Sequence, residues 1–303
     1  FSFSRLRCKN DFVASTNGKA SGPVSFMQVY DMATQVVKQG AVRSGANMAV
    51  LRVDHPDIEE FITVKRRHDC LNNFNLSVAI TDEFMSKVRS DECFNLVNPR
   101  NQCITRTVRA RSIFSLLADM AWENGEPGIF FLDTVNRANP TPYLGDFEAP
   151  NPCAEQPLLP YESCVLGSIN LTKMVSWKGK HLVIDYIKLS DVIKKAVRFL
   201  DNVIDINDYP LKPVMEATKL TRKIGLGIMG LAELFIAMGV PYASKTAVTI
   251  TADIMQHVTK VAREASQELA VKRGSFPAYK GSKYEQLGIK PLRNATVTTI
   301  APT

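Results

Sequence analysis

Asn151, Cys153 and Glu155 stand at alternate positions inside the run NPCAEQPLLPYESC, which ends at Cys164. In an extended segment a spacing of two puts all three side chains on one face, with Pro152 and Ala154 on the other. The expectation is a thiol, a carboxylate and an amide converging on one small volume. A second thiol, Cys164, follows eleven residues after the first, beyond a proline-broken turn that can fold it back. A reaction that needs a sulfur, a proton acceptor, an orienting amide and a second sulfur as electron source could be run there.

Other elements must hold these residues in place, and helix and strand signals alternate along the chain. Helical periodicity is expected over Phe26 to Val37, after the breaker SGPVS, and a strand over Asn47 to Val53. Asp57 is placed to cap a helix running to about Lys65, with Glu59 and Glu60 in its first turn. A strand over Phe74 to Ile80 precedes Thr81, a cap for the next helix. Arg111 to Glu123 reads as helix, Gly128 to Leu132 as a short buried strand, and the four prolines between Pro140 and Pro152 as loop. Two long amphipathic helices are expected over Asp185 to Ile206 and Ser244 to Arg273, and a last strand over Ala295 to Ile300. Strands separated by helices argue an α/β fold with parallel pairing. No repeat and no linker long enough to split domains is found.

The chain has 303 residues, 45% hydrophobic and 22% charged, enough for a sizeable core in one large domain or two smaller ones. A net charge of +7 is ordinary for solubility and also suits an anionic ligand such as a nucleotide. The absence of a dense Lys/Arg block argues against a surface that coats DNA or RNA. The longest apolar stretch, Ile224 to Val240, carries Glu233, so no membrane span is expected. Both ends read as cuts inside a larger protein. The six cysteines form no CxxC, and His68 and Cys70 are the one close Cys/His pair, which argues against structural zinc. Apart from Cys153 and Cys164, the cysteines are expected to be small buried hydrophobes.

Gly225 to Gly230 matches G-x-G-x-x-G, but a dinucleotide site needs an apolar strand immediately before it. The charged, helix-like run Glu216 to Lys223 stands there instead, so close backbone packing at a helix start is the better reading. Asp54 to Asp57 reads as a strand end, a proline turn and a cap. Lys65 to His68 reads as a solvated helix end. The stretch Lys38 to Asn47, with Gly40 and Gly45 flanking Arg43, is either an ordinary loop or a mobile one that carries Arg43 to a ligand.

Taken together, FSFSRLR, ASGPVSFM, KQGAVRSGANMAVLRVDHPDI, NFNLSVAITDEFM, NPCAEQPLLPYESCVLGSINL, TRKIGLGIMGLAELF and TVTTIAPT resemble the large catalytic chain of ribonucleotide reductase. The resemblance runs along essentially the whole chain. Pro152 and the short gap between Cys153 and Cys164 favour the adenosylcobalamin-dependent class II enzymes. The resemblance implies a ten-stranded α/β barrel with a loop threaded through its centre, incomplete here, of which residues 1–303 are a part. Cys153 would be the thiyl radical at the tip of that loop and take the 3′ hydrogen of the ribose. Glu155 would act as general base on the 3′-hydroxyl, Asn151 would orient the substrate, and Cys164 would be one of two thiols that supply electrons. Asn151, Pro152, Cys153, Ala154 and Glu155 would line the substrate site. Ala301, Pro302 and Thr303 would begin the loop that holds the substrate phosphates at a helix N-terminus.

The resemblance also implies two specificity loops for a deoxynucleoside triphosphate effector. Arg7 through Ala14 and Ser15 to Gly18 match the first. Lys38 to Asn47, with Gln39, Gly40, Arg43 and Gly45, matches the second. Cys8 stands where a proline is usual, and Ala41 and Ser44 replace a Gly and an Arg. The implied partners are a ribonucleotide substrate, thioredoxin or a similar dithiol and, as one arrangement, a homodimer, in a cytoplasmic enzyme. The other readings are a class I reductase served by a metal-bearing second subunit, a nicotinamide oxidoreductase built on Gly225 to Gly230, and a noncatalytic piece.

Overall fold

The computed structural model describes residues 1–37, 45–66 and 70–303. The chain divides into two units, Phe1–Ala138 with Asp146–Pro157 and Asn139–Gly145 with Leu158–Thr303. The first unit begins with a ribbon of β1 (Phe12–Val13) and β2 (Gly18–Lys19), followed by α1 (Pro23–Val36), β3 (Asn47–Arg52) and α2 (Ile58–Thr63). Then come β4 (Phe74–Ile80), α3 (Asp82–Ser90), a hairpin of β5 (Cys93–Val97) and β6 (Ile104–Arg109), α4 (Ala110–Asn124), β7 (Gly128–Phe131) and α5 (Leu132–Arg137). The short strands β8 (Ala149–Pro150) and β9 (Pro157–Leu158) bracket the loop that carries Cys153.

β3, β4 and β7 form a parallel sheet in that order. Period two divides its side chains between two faces. Ala49, Leu51, Leu76, Val78 and Ile80 enter the main core with Phe61 and Ile62 of α2, Phe84 of α3 and Ile113 and Leu117 of α4. Met48, Val50, Ala79 and Phe130 face the other way and pack with Leu132 and Ala149. Asn75 and Ser77 share that second face by the same alternation, and this face supports the Cys153 loop.

The second unit contains β10 (Val165–Asn170), the ribbon β11 (Val175–Lys178) and β12 (His181–Ile184), α6 (Tyr186–Ile206) and α7 (Lys212–Thr221). It continues with β13 (Ile224–Met229), α8 (Leu231–Met238), α9 (Lys245–Arg273) and α10 (Lys283–Gln286). β10 and β13 pair in parallel from Val165↔Ile224 to Asn170↔Met229. Ile193, Val197, Leu200 and Ile204 of α6 recur at helical spacing and meet Ile254, Val258, Val261 and Ala265 of α9. Each fully buried aliphatic side chain contributes roughly 1.5–3 kcal/mol. The fully buried Asp201 of α6 accepts from Arg222, Arg273, Arg293 and Asn294, so its charge is compensated on all sides.

The expected α/β class and parallel pairing hold, and neither unit by itself closes a barrel. The caps at Thr81, Asp185 and Ser244 accept from Phe84, Lys188 and Ala247 as their positions imply. Asp57 precedes α2 as expected, but its carboxylate accepts from Lys9 N at 2.8 Å instead of capping the helix.

Several expectations are corrected. β7 forms, yet Phe130 alone of its four residues is buried, because only one face of this edge strand meets a core. The Pro140 to Pro152 loop contains a 3-10 turn at Pro142–Leu144 and the strand β8. Ala295 to Ile300 makes a single bridge, Thr298 to Leu226, rather than a strand. Gly225 and Gly227 lie within β13 itself, so the fingerprint lacks the strand it needs in front of the glycines. A Cβ on Gly227 would stand 2.8 Å from Thr299 O; the close approach it permits is to the C-terminal segment, and Gly230 (φ +74°) is the residue that opens α8. Among the cysteines outside the candidate site, only Cys8 is buried; Cys70 is half-buried and Cys93 and Cys103 are exposed. Lys65 is not solvated: it reaches Glu126 at 2.8 Å, while Arg67 and His68 lie outside the described residues.

Candidate active site

Asn151 to Gln156 forms a tight turn rather than an extended run. Ala154 N donates to Asn151 O at 2.9 Å, and Asn151 N donates to Gln156 O at 3.2 Å. Asn151 Oδ1 accepts from Gln156 N at 3.0 Å. Ala154 takes φ +69°, the left-handed region. The cause is local: an asparagine side chain that captures a nearby backbone N–H offers the chain an alternative to a strand. The shared face expected from period-two spacing therefore does not exist; a turn, not a pleat, brings Asn151, Cys153 and Glu155 into one six-residue loop.

Within that loop Cys153 and Ala154 are exposed, Asn151, Pro152 and Glu155 are half-buried, and Gln156 is buried. Its near side is tied down from the sheet, where Asn75 Nδ2 donates to Pro152 O at 2.6 Å. Asn75 occupies the second face of β4, next to Met48 of β3 in register, and Ala149 packs on the same face. The alternation that builds the sheet thus decides where the loop sits. Asn75 was not evident from sequence; its signal is a polar residue in phase with a buried second face.

In the second unit, Cys164 is half-buried immediately before β10, with its Sγ 3.8 Å from Val165 O. The segment leading to it is anchored by Glu162, whose carboxylate accepts from Lys223 Nζ, Thr221 Oγ1 and Leu159 N, each at 2.6 Å. Glu162 and Lys223 are 1% and 0% exposed. Burial pushes the Lys223 ammonium below its ordinary pKa, and the attraction of Glu162 opposes that shift. Ser163 is clamped to Thr218 of α7 through both its N–H and its hydroxyl. Sequence reading passed over Glu162 and Lys223; the usable signal was a lysine abutting a buried apolar strand.

The remaining expected positions are dispersed. Arg7 is exposed and donates to Phe12 O at 3.1 Å, and Ala14 and Ser15 are exposed between β1 and β2. This loop is pinned by Arg100, which grips Asp11 with two bonds of 2.9 and 3.0 Å and holds its carboxyl down at about 2. Gln39, Gly40 and Arg43 lie outside the described residues, and Gly45 is exposed. Ala301 to Thr303 is irregular; Pro302 and Thr303 are exposed, and Thr303 Oγ1 lies 2.9 Å from Ser168 Oγ. Among the described residues no group of three or more His, Cys, Asp or Glu side chains is placed to hold a metal ion. No helix among them is long and apolar enough to cross a membrane.

The family model described as "Ribonucleotide reductase, barrel domain" matches residues 1–299. This chain belongs to that family. A vitamin B12-dependent ribonucleoside-diphosphate reductase of Thermoplasma acidophilum is 51% identical over the whole chain, which spans 39% of that relative. One from Mycobacterium tuberculosis is 50% identical over the whole chain, which spans 43% of it. A ribonucleoside-diphosphate reductase subunit alpha of Chlamydia trachomatis is 30% identical over 96% of the chain. The chain therefore spans about two fifths of the length of the first two relatives. The alternative of a nicotinamide enzyme built on Gly225 to Gly230 loses its footing, both in the strand geometry and in this membership.

Proposed function

We propose that this chain forms the substrate-reducing part of a cytoplasmic, adenosylcobalamin-dependent ribonucleoside-diphosphate reductase. The observation that carries the reading is Cys153, exposed at the apex of a turn that Asn151 closes and Glu155 flanks, in a chain of the ribonucleotide reductase barrel family. An exposed thiol fits a group delivered from outside the chain, whereas a core cysteine would not. When bound, adenosylcobalamin supplies the one-electron oxidation that the thiol needs.

Cys153 Sγ, once a thiyl, takes the 3′ hydrogen of the ribose. Glu155 accepts the 3′-hydroxyl proton. Asn151 spends its Oδ1 on the turn, so orienting the sugar falls to its Nδ2 donors. The 2′-hydroxyl leaves as water. Cys164 and a second thiol give up two electrons and two protons and become a disulfide, and Cys153 returns the 3′ hydrogen. The net change is ribonucleotide plus two thiols to deoxyribonucleotide, water and one disulfide. An external dithiol such as thioredoxin re-reduces the disulfide. A deoxynucleoside triphosphate effector at the loops around Ser15 and Arg43, and a homodimer, complete the proposal.

The test is Cys153→Ser in the full-length protein, assayed with and without adenosylcobalamin. Deoxynucleotide formation is expected to vanish while nucleotide binding stays within about twofold, because a serine O–H is too strong a bond to serve as the radical carrier. Multiple-turnover activity in this variant would sink the radical role of Cys153. Wild-type turnover without cobalamin, dependent on a metal-bearing second subunit, would reassign the radical source.

A further inference from the structure

Cys164 and Lys223 stand immediately before the two paired strands of the second unit, one before each. The paired register opens at Val165↔Ile224, and each of the two residues stands one position before it. Lys223 is wholly buried, and its ammonium is oriented by Glu162, two residues before Cys164. The thiolate form of Cys164 and the Lys223 ammonium attract one another. The neighbouring Arg222 is committed elsewhere, to Asp201 and Asp205, while Lys223 pairs with Glu162.

We infer that Lys223 is a positioning residue for the redox thiol, holding a fixed positive charge beside Cys164 so that its thiolate is favoured during thiol–disulfide exchange. The inference rests on the redox role proposed above for Cys164. In the step concerned, a thiolate of the external dithiol attacks the protein disulfide. One S–S bond forms, the protein S–S bond breaks, and Cys164 departs as a thiolate. The dithiol's second thiolate then closes on the mixed disulfide. Two electrons pass from the dithiol, which ends as a disulfide, to the protein, which takes up two protons and ends with two thiols. A lower thiol pKa makes Cys164 a faster leaving group, and an adjacent lysine is one of the means by which proteins lower it. Glu162 favours the charged ammonium, against the burial that disfavours it.

The experiment measures the pH profile of Cys164 alkylation by iodoacetamide in the reduced full-length protein, quantified on the Cys164 peptide by mass spectrometry. Lys223→Gln removes the charge and keeps a donor for Glu162. Its profile is expected to move at least one pH unit upward, with alkylation at pH 7 about tenfold slower. Lys223→Arg is expected to stay within about threefold of wild type. Should Lys223→Gln not fold, the double variant Glu162→Gln/Lys223→Gln leaves no orphan charge and is expected to shift in the same direction. A profile that coincides with wild type in the folded uncharged variant overturns the inference. Dithiol-driven turnover of Cys164→Ser is measured alongside: normal turnover there would sink the redox reading of Cys164, while the alkylation shift reports the Lys223 coupling separately.

Discussion

The two cysteine-bearing segments are held by opposite means. The Cys153 loop is closed by hydrogen bonds among its own six residues and tied to β4 by one amide, with its thiol in the open. The Cys164 segment is held by a buried ion pair, a clamped serine and the edge of a parallel ladder, with its thiol half sunk. In the roles proposed above, a thiol that meets an incoming sugar needs access and a stiff local support. A thiol that trades electrons with another sulfur gains from a fixed charge, and a fixed charge is strong only where water is excluded. The difference predicts that the two sites fail differently: the first through geometry, the second through electrostatics.

The largest effect on stability is expected where charge is buried. Glu162→Ala leaves the Lys223 ammonium uncompensated in a site with no exposure, and breaking such a pair costs about 3–5 kcal/mol. Urea unfolding monitored in the second unit should show this as a large fall in midpoint. A loss below about 1 kcal/mol would mean that Lys223 simply sheds its proton or that water reaches it, and the contrast between the two segments would weaken.

How much of this could be read from the chain follows the same division. The strands expected over Asn47 to Val53 and Phe74 to Ile80 both form, and the cap at Thr81 and the helices starting at Asp185 and Ser244 were legible, whereas Asp57 was drawn off its cap by the distant Lys9. The residue types at Asn151, Cys153, Glu155 and Cys164 marked a candidate site, but not its shape. A strand was inferred from spacing, whereas the Asn151 side chain and a left-handed Ala154 turn the backbone round. Glu162 and Lys223 were missed because they are 61 residues apart, and nothing local signals a partner at that distance. At Gly225 to Gly230 close backbone packing was legible, but that the run is itself a buried strand was not, because it depends on β10 lying beside it.

A smaller effect should separate geometry from charge at the first site. Ala154 sits at φ +69°, where an L residue carries roughly 1–2 kcal/mol of strain. Replacing it by glycine removes that strain but frees the unfolded chain, at a cost of about 0.5–1 kcal/mol. Strain relief is the larger quantity, so Ala154→Gly is expected to stabilise the protein by about 0.5 kcal/mol, read as a small rise in the unfolding midpoint. A lowered midpoint would show that the Ala154 methyl is held by contacts the turn needs, and the loop would then resemble the packed Cys164 segment more than the contrast allows.

The smallest effect tests an ion pair that is open to water on its arginine side, next to β1. Arg100 holds the Asp11 carboxyl at about 2, against an ordinary 3.8. A carboxyl whose folded pKa is depressed adds stability that is fully present above the unfolded value and disappears as pH falls through the folded one. The advantage of wild type over Asp11→Asn should therefore be constant from neutral pH down to about 5, shrink as pH falls toward about 2, and close below that. Because the Arg100 side chain is exposed to water, added salt should shrink it, as it should not shrink the Glu162→Ala deficit. Parallel melting curves at several pH values and two salt concentrations would show both trends. A wild-type advantage that persists unchanged at pH 2 would mean that Asp11 supports the loop through its hydrogen bonds to the backbone, and that in this protein only the buried pair acts by charge.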